Sequence, residues 1–172
     1  MKQLIAAMFL FATSAVHADQ TDRDTLALAR VCVHESGFMS PDDCAAIHAV
    51  LDRVRERFRI RTIEAAANLY SPRATGRNLP RTALDRWVQQ LNHSASKPPA
   101  FSHSWELNRP RWLERLEQAR RLVLGTEVHQ CAQPITHWGA PYGEDLARGI
   151  RAGWTQVDCG ETRNIFWSTN RE

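Results

Sequence analysis

The stretch "VCVHESGF", residues 31–38, sets a carboxylic acid on the apolar side of a helix end. Leu28, Val31, Cys32 and Glu35 follow one another at i, i+3, i+4 and i+7, so they share one helical face. Gly37 follows as a natural helix stop. A charged side chain seldom joins a buried face without a partner or a purpose. The place of Glu35 therefore decides how the surrounding chain is to be read.

Working outward, the helix that carries Glu35 is expected from about Asp22 to Ser36. Upstream lies "MKQLIAAMFLFATSAVHADQ". Lys2, the apolar run Leu4–Val16 and the small-x-small step Val16-His17-Ala18 read as a secretory signal peptide over residues 1–18. The apolar run is short for a bilayer span and has no stop-transfer flank, so no stable membrane insertion is expected after cleavage. The mature chain, residues 19–172, has the length of a single domain. Export also sets the reading of Cys32, Cys44, Cys131 and Cys159, which become two disulfides rather than a metal site. Of the three connectivities open to four cysteines, the sequence-local pairs Cys32–Cys44 and Cys131–Cys159 are favoured.

Downstream, "SPDDCAAIHAVLDRVRERF" is a strong helix start: Ser40 as N-cap, Pro41 in the first turn, and Asp42 and Asp43 at the positive dipole end. Read this way, Asp42 and Asp43 are helix-start residues that should tolerate asparagine. Ile47, Val50, Leu51, Val54 and Phe58 form its core stripe. Thr62 caps a short helix in "TIEAAANLY", and "RTALDRWVQQLN" predicts another. Asn108 and Pro110 open a further helix that Gly125 stops. "YGEDLARGIRAGW" reads as helical despite its interior glycines. "WTQVDCGETRNIFW" has β-branched and aromatic residues around a Cys-Gly turn and predicts a small hairpin, with Trp154, Phe166 and Trp167 in the core. The expected fold class is mainly α (α+β), with a small C-terminal β-hairpin.

The net charge is +3, and apart from Lys2 and Lys97 every basic side chain is arginine. Arg53, Arg55, Arg57, Arg59 and Arg61 alternate along a helix end and its exit, most simply as a solvated face. Attraction to an anionic wall polymer is the other reading. Export argues against a nucleic-acid partner.

"LARVCVHESG", then "AIHAVLDRV", then "TIEAAANLYS" resembles the catalytic domain of spore-cortex-lytic cell-wall hydrolases. "ARRLVLGTEVHQCAQPITHWG" is similar to that family's Val-Leu-x-Gly helix end and Thr-His-aromatic strand. The resemblance runs in order from Leu26 to Trp138. The family's Glu-Ala-Arg-Gly is Glu35-Ser36-Gly37-Phe38 here, and its Asn-Arg-Val is Asp52-Arg53-Val54. "ESGF" is closer to the soluble lytic transglycosylases, whose Gly-Leu-Met-Gln and Ala-Tyr-Asn-Ala-Gly motifs are absent. The resemblance implies a lysozyme-like α-rich domain that cleaves peptidoglycan glycan strands; the signal peptide places it in the periplasm or medium, and a monomer without a cofactor is expected.

It also implies roles. Glu35 becomes the general acid, a role that needs burial against apolar surface so that the proton is retained near neutral pH. Tyr70 and Ser71 match an aromatic-Ser pair, and His137 and Trp138 match the Thr-His-aromatic strand. These would line the sugar groove, with Asn164 in "RNIFW" as a further candidate. Classical hydrolysis needs a second carboxylate. The near candidates, Asp42 and Asp43, are explained by capping, which favours lytic transglycosylation by Glu35 alone. Two rivals stand beside this reading. His34-Glu35 has the wording of a zinc peptidase, but the position for the second His is Phe38, and no metal is expected. A non-catalytic wall-binding or secretion-accessory module is the alternative.

Overall fold

The computed structural model describes residues 20–38, 40–75 and 102–169. The signal-peptide reading of residues 1–18 and the helix expected in "RTALDRWVQQLN" lie outside the described residues. Helix α1 covers residues 20–36. It is followed by α2 (Pro41–Phe58), α3 (Ile63–Tyr70), α4 (Ser102–Val123), β1 (His137–Gly139), α5 (Gly143–Arg151), β2 (Thr155–Val157) and β3 (Ile165–Ser168). The fold is mainly helical, with one small antiparallel sheet near its C-terminal end.

The longest buried run among the described residues lies in α1, without interruption from residue 27 to residue 33. A helix apolar on all sides is one packed on all sides, and only Arg30 breaks the run. Gly37 ends α1 in a left-handed turn at φ +69°, its N–H closing on the Val33 carbonyl at 2.9 Å. The Cys32–Cys44 disulfide then staples this helix end to the first turns of α2, and Cys131–Cys159 ties the approach to β1 to the β2–β3 turn. Both pairs are the sequence-local ones. Among the described residues no helix is long and apolar enough to cross a membrane. Two disulfides suit an oxidising compartment and so a secreted or exported protein.

Helix α2 starts as its sequence dictates. Ser40 Oγ accepts from the Asp43 N–H at 3.1 Å while donating to the Glu161 carbonyl at 2.8 Å. Ile47, Val50, Leu51 and Val54 are buried, but Phe58 is 56% exposed. Phe58 is the last residue of α2, beyond the reach of the core, and the Arg57 guanidinium covers its ring at 5.5 Å. α2 packs on α3, α4 and β1. Thr62 caps α3 by accepting from the Ala65 N–H at 3.1 Å.

Helix α4 departs from expectation, beginning at Ser102 so that Pro110 lies inside it. Proline suits a first turn, which is why Pro110 reads as a helix start; in a helix interior it removes one backbone bond and its ring crowds the carbonyl four residues back. From its buried stretch, Arg115 donates to the Phe38 carbonyl at 3.2 Å and Gln118 to the Pro41 carbonyl at 2.9 Å. These contacts hold the loop that leaves Glu35.

The predicted hairpin forms from β2 and β3, and β1 adds a third strand on the other side of β3. Trp138 pairs with Phe166 and Val157 also pairs with Phe166. Phe166 and Trp167 are buried. Trp154, expected in the core, is only partly buried, because it stacks on the His137 ring at the edge of the sheet. Gly149 shows why α5 contains a glycine: a Cβ there would lie 2.6 Å from the Trp167 ring.

Candidate functional site

The end of α1 opens into a groove of about 600 Å³ bordered by α1, the end of α3, the β1–α5 connection and the loop before β3. Glu35 lies on its wall, partly buried. The buried Ser71 hydroxyl, just past α3, donates to Glu35 Oε1 at 2.6 Å. Ser71 is itself fixed by its N–H, which bonds the Ala67 carbonyl at 2.8 Å. Among the described residues no arginine or lysine pairs with the Glu35 carboxylate. The contact that orients Glu35 is therefore a hydroxyl, and it engages one oxygen only.

An aromatic wall borders the same groove. Tyr70 and Trp138 lie 4.5 Å apart between ring centroids, tilted by 35°, and both line the groove. Burial pushes the Tyr70 phenol above its ordinary value; Arg148 opposes the rise, while Glu35 and Asp145 add to it. The phenol is therefore a neutral hydrogen-bonding group at any physiological pH. His137 lies behind this wall rather than on it. Its ring stacks on Trp154 at 4.3 Å and stands 6.3 Å from Tyr70, and its Nδ1 meets Thr136 Oγ1 at 2.9 Å. Burial lowers its pKa, with Arg148 and Arg57 lowering it further.

Asn164 arrives from a distant part of the chain. Its Nδ2 donates to the Glu35 carbonyl at 3.3 Å and to Asp43 Oδ1 at 3.1 Å. Asp43 is fully buried, and its carboxylate also accepts the Arg163 N–H at 2.7 Å and the Asn164 N–H at 3.1 Å. Asp42 Oδ2 accepts the Glu161 N–H at 2.8 Å. The reading of these two aspartates as simple helix-start residues is thus incomplete. They dock the loop before β3 onto the helix start next to Glu35.

Of the residues expected at the site, Glu35, Tyr70, Trp138 and Asn164 line one groove, Ser71 meets the acid directly, and His137 backs the wall. Three others also line the groove and were missed: Asp145, Arg163 and Tyr142. Asp145 Oδ2 accepts the Ala140 N–H at 3.1 Å and its Oδ1 accepts from Arg148 at 3.1 Å. Its side chain is 42% exposed. In the sequence Asp145 is indistinguishable from any acidic residue in a first helical turn. Only the fold of the β1–α5 connection, where Asp145 packs on Gly139, brings it to the groove. Among the described residues no group of three His, Cys, Asp or Glu side chains converges as a metal site would require. The arrangement can present one oriented carboxyl and one salt-bridged carboxylate to a ligand lying against aromatic rings. Compared with models of protein families, with curated proteins and with solved structures, the chain matches none.

Proposed function

We propose that this protein cleaves the glycan strands of peptidoglycan, with Glu35 as general acid, in a lysozyme-like domain exported to the periplasm or medium and working as a monomer. The observation that carries the reading is the Ser71–Glu35 hydrogen bond at the side of an aromatic-walled groove. Ser71 occupies Oε1, which leaves Oε2 as the oxygen from which a proton would pass to the glycosidic oxygen as an oxocarbenium-like centre develops. Tyr70 and Trp138 offer apolar faces to sugar rings, and the Asn164 amide, tied to the Glu35 carbonyl, keeps the helix end in place.

Two chemistries share this first step. With Glu35 alone, its carboxylate next takes the proton of the sugar's 6-hydroxyl and a 1,6-anhydro ring closes, provided that hydroxyl is held closer than water. The presence of Asp145 in the same groove favours a second reading, hydrolysis with Asp145 as base or stabiliser of the cation. The products distinguish them: anhydro-muropeptides for the first, reducing ends with loss of activity in Asp145→Asn for the second.

The test is clearing of purified cell wall in a gel. Wild-type protein should clear it with or without chelator. Glu35→Gln should retain its fold and lose roughly 10²–10⁴-fold in activity. A fully active Gln variant would place the acid elsewhere, and binding without clearing by the wild type would make this a wall-binding module.

A further inference from the structure

Arg163 is the only arginine or lysine among the described residues that line the Glu35 groove. Its root is fixed. The backbone N–H donates to the buried Asp43 carboxylate at 2.7 Å, and the next residue, Asn164, is held by the same carboxylate. Its side chain is not tied down in the same way. The residue is exposed, and its guanidinium makes one hydrogen bond among the described residues, from Nη1 to the Ser36 carbonyl at 3.5 Å. A cation beside the last carbonyl of a helix is favourable, but a single bond at the limit of hydrogen-bond length leaves the rest of the guanidinium fork free to bind. The two groove carboxyls are engaged elsewhere, Glu35 with the Ser71 hydroxyl and Asp145 with Arg148. No carboxylate among the described residues lies within ion-pair distance of Arg163.

The end of α1 sets where that fork lies. Ser36 and Gly37, the two residues after Glu35, both line the groove, and a Cβ built at Gly37 would already touch Nη1 at 3.7 Å. The guanidinium therefore lies beside the helix end that carries the proposed acid. It hangs from a backbone that is docked before any ligand arrives, which lowers the ordering cost of binding. Sugar rings and glycosidic oxygens carry no charge for it to meet. In peptidoglycan, however, alternate sugars bear a lactyl ether. Its carboxylate is free where the peptide has been removed; elsewhere it is amide-linked to a stem peptide with carboxylates of its own. A carboxylate matches the planar fork with two parallel hydrogen bonds.

We infer that Arg163 is a specificity-determining residue of this groove, pairing with a carboxylate on a substituent of the bound sugar strand and so favouring acidic glycans over neutral ones. The inference rests on the glycan-cleaving reading proposed above and adds to it the charge of the substrate.

The test is calorimetric titration of Glu35→Gln protein, in which turnover is expected to be lost, with three tetrasaccharides. These are neutral chitotetraose, the peptide-free GlcNAc-MurNAc repeat, and the same repeat carrying its stem peptides. At least one acidic ligand should bind about fivefold or more tighter than chitotetraose, a preference that weakens as salt is raised. Adding Arg163→Gln should bring acidic and neutral ligands to within about twofold of each other. The acidic ligand that loses affinity names the source, lactyl or peptide carboxylate. The salt dependence needs no change at position 163, so it decides the matter if that variant fails to fold. Equal binding of acidic and neutral saccharides by the Glu35→Gln protein would overturn the inference while the glycan reading stands. So would an Arg163→Gln loss shared by all three ligands, the mark of a residue that only caps α1. Binding of none of the three overturns the inference, and the glycan reading falls with it if wild-type protein also leaves cell wall uncleared.

Discussion

Replacing Asp43 by asparagine changes one oxygen for an NH₂ group at a site with no room to adapt. Asp43 is fully buried and accepts three hydrogen bonds, from the Arg163 N–H, the Asn164 N–H and Asn164 Nδ2. Whichever way the new amide turns, its NH₂ faces at least one of those donors, and the bonds that survive lose their ionic partner. A hydrogen bond to a charged group contributes about 1.5–3 kcal/mol, and a carboxylate in a first helical turn about 0.3–1 kcal/mol. Losing one such bond together with the dipole interaction predicts a destabilisation of about 2–4 kcal/mol, large against a usual total of about 5–15 kcal/mol. Asp42→Asn is the control, because its contact to the Glu161 N–H lies at the surface, and it should cost less than about 1 kcal/mol. Urea unfolding followed by circular dichroism measures both, with unchanged m-values as the condition for comparison. Activity should fall with Asp43→Asn as well, because Asn164 is then free to leave the Glu35 carbonyl. An Asp43→Asn protein within about 0.5 kcal/mol of wild type would refute the claim that this carboxylate docks the site loop.

Three further outcomes are expected. His48 and His137 both have pKa values lowered in the fold, each chiefly by burial, so the unfolded chain takes up protons first. Stability present above about pH 6.5 should therefore be lost as pH falls through that value and level off once the folded imidazoles also charge; a His48→Gln/His137→Gln protein should show a flatter denaturation midpoint between pH 8 and pH 5. Gly149→Ala would gain about 1 kcal/mol in an open helix. Here its Cβ meets Trp167 at 2.6 Å, and overpacking of about 1–3 kcal/mol should lower the melting temperature; a rise would show that α5 and the sheet are more loosely packed than described. Replacing Cys32 and Cys44 by alanine should cost roughly 2–3 kcal/mol in denaturant, the chain-entropy value for so short a loop, and no loss would mean that the staple adds nothing beyond the packing of α1 on α2.

What could be read from the sequence alone was local. Helical periodicity marked α1 and α2, Ser40 and Thr62 announced the caps of α2 and α3, Gly37 announced the end of α1, and a Cys-Gly turn between aromatic segments announced the hairpin. Each of these signals is carried by residues a few positions apart, where backbone preference and side-chain spacing act directly. Glu35 stood out for the same reason, as an acid on an apolar helical face. Phe58 and Trp154 misled because periodicity says which way a side chain points and not where the core ends. Pro110 misled because proline favours a helix start without requiring one.

Tertiary structure alone decided which distant residues surround the acid. Ser71 reaches Glu35 across 36 positions and Asn164 across 129, separations over which no propensity or spacing rule acts. Asp43 had a sufficient local explanation as a helix-start residue, and its three long-range bonds became visible only once the loop before β3 lay against the start of α2. Asp145 carries no sequence signal at all. Its arrival in the groove depends on how the β1–α5 connection folds back over Gly139, a matter of packing between elements that are each unremarkable in sequence.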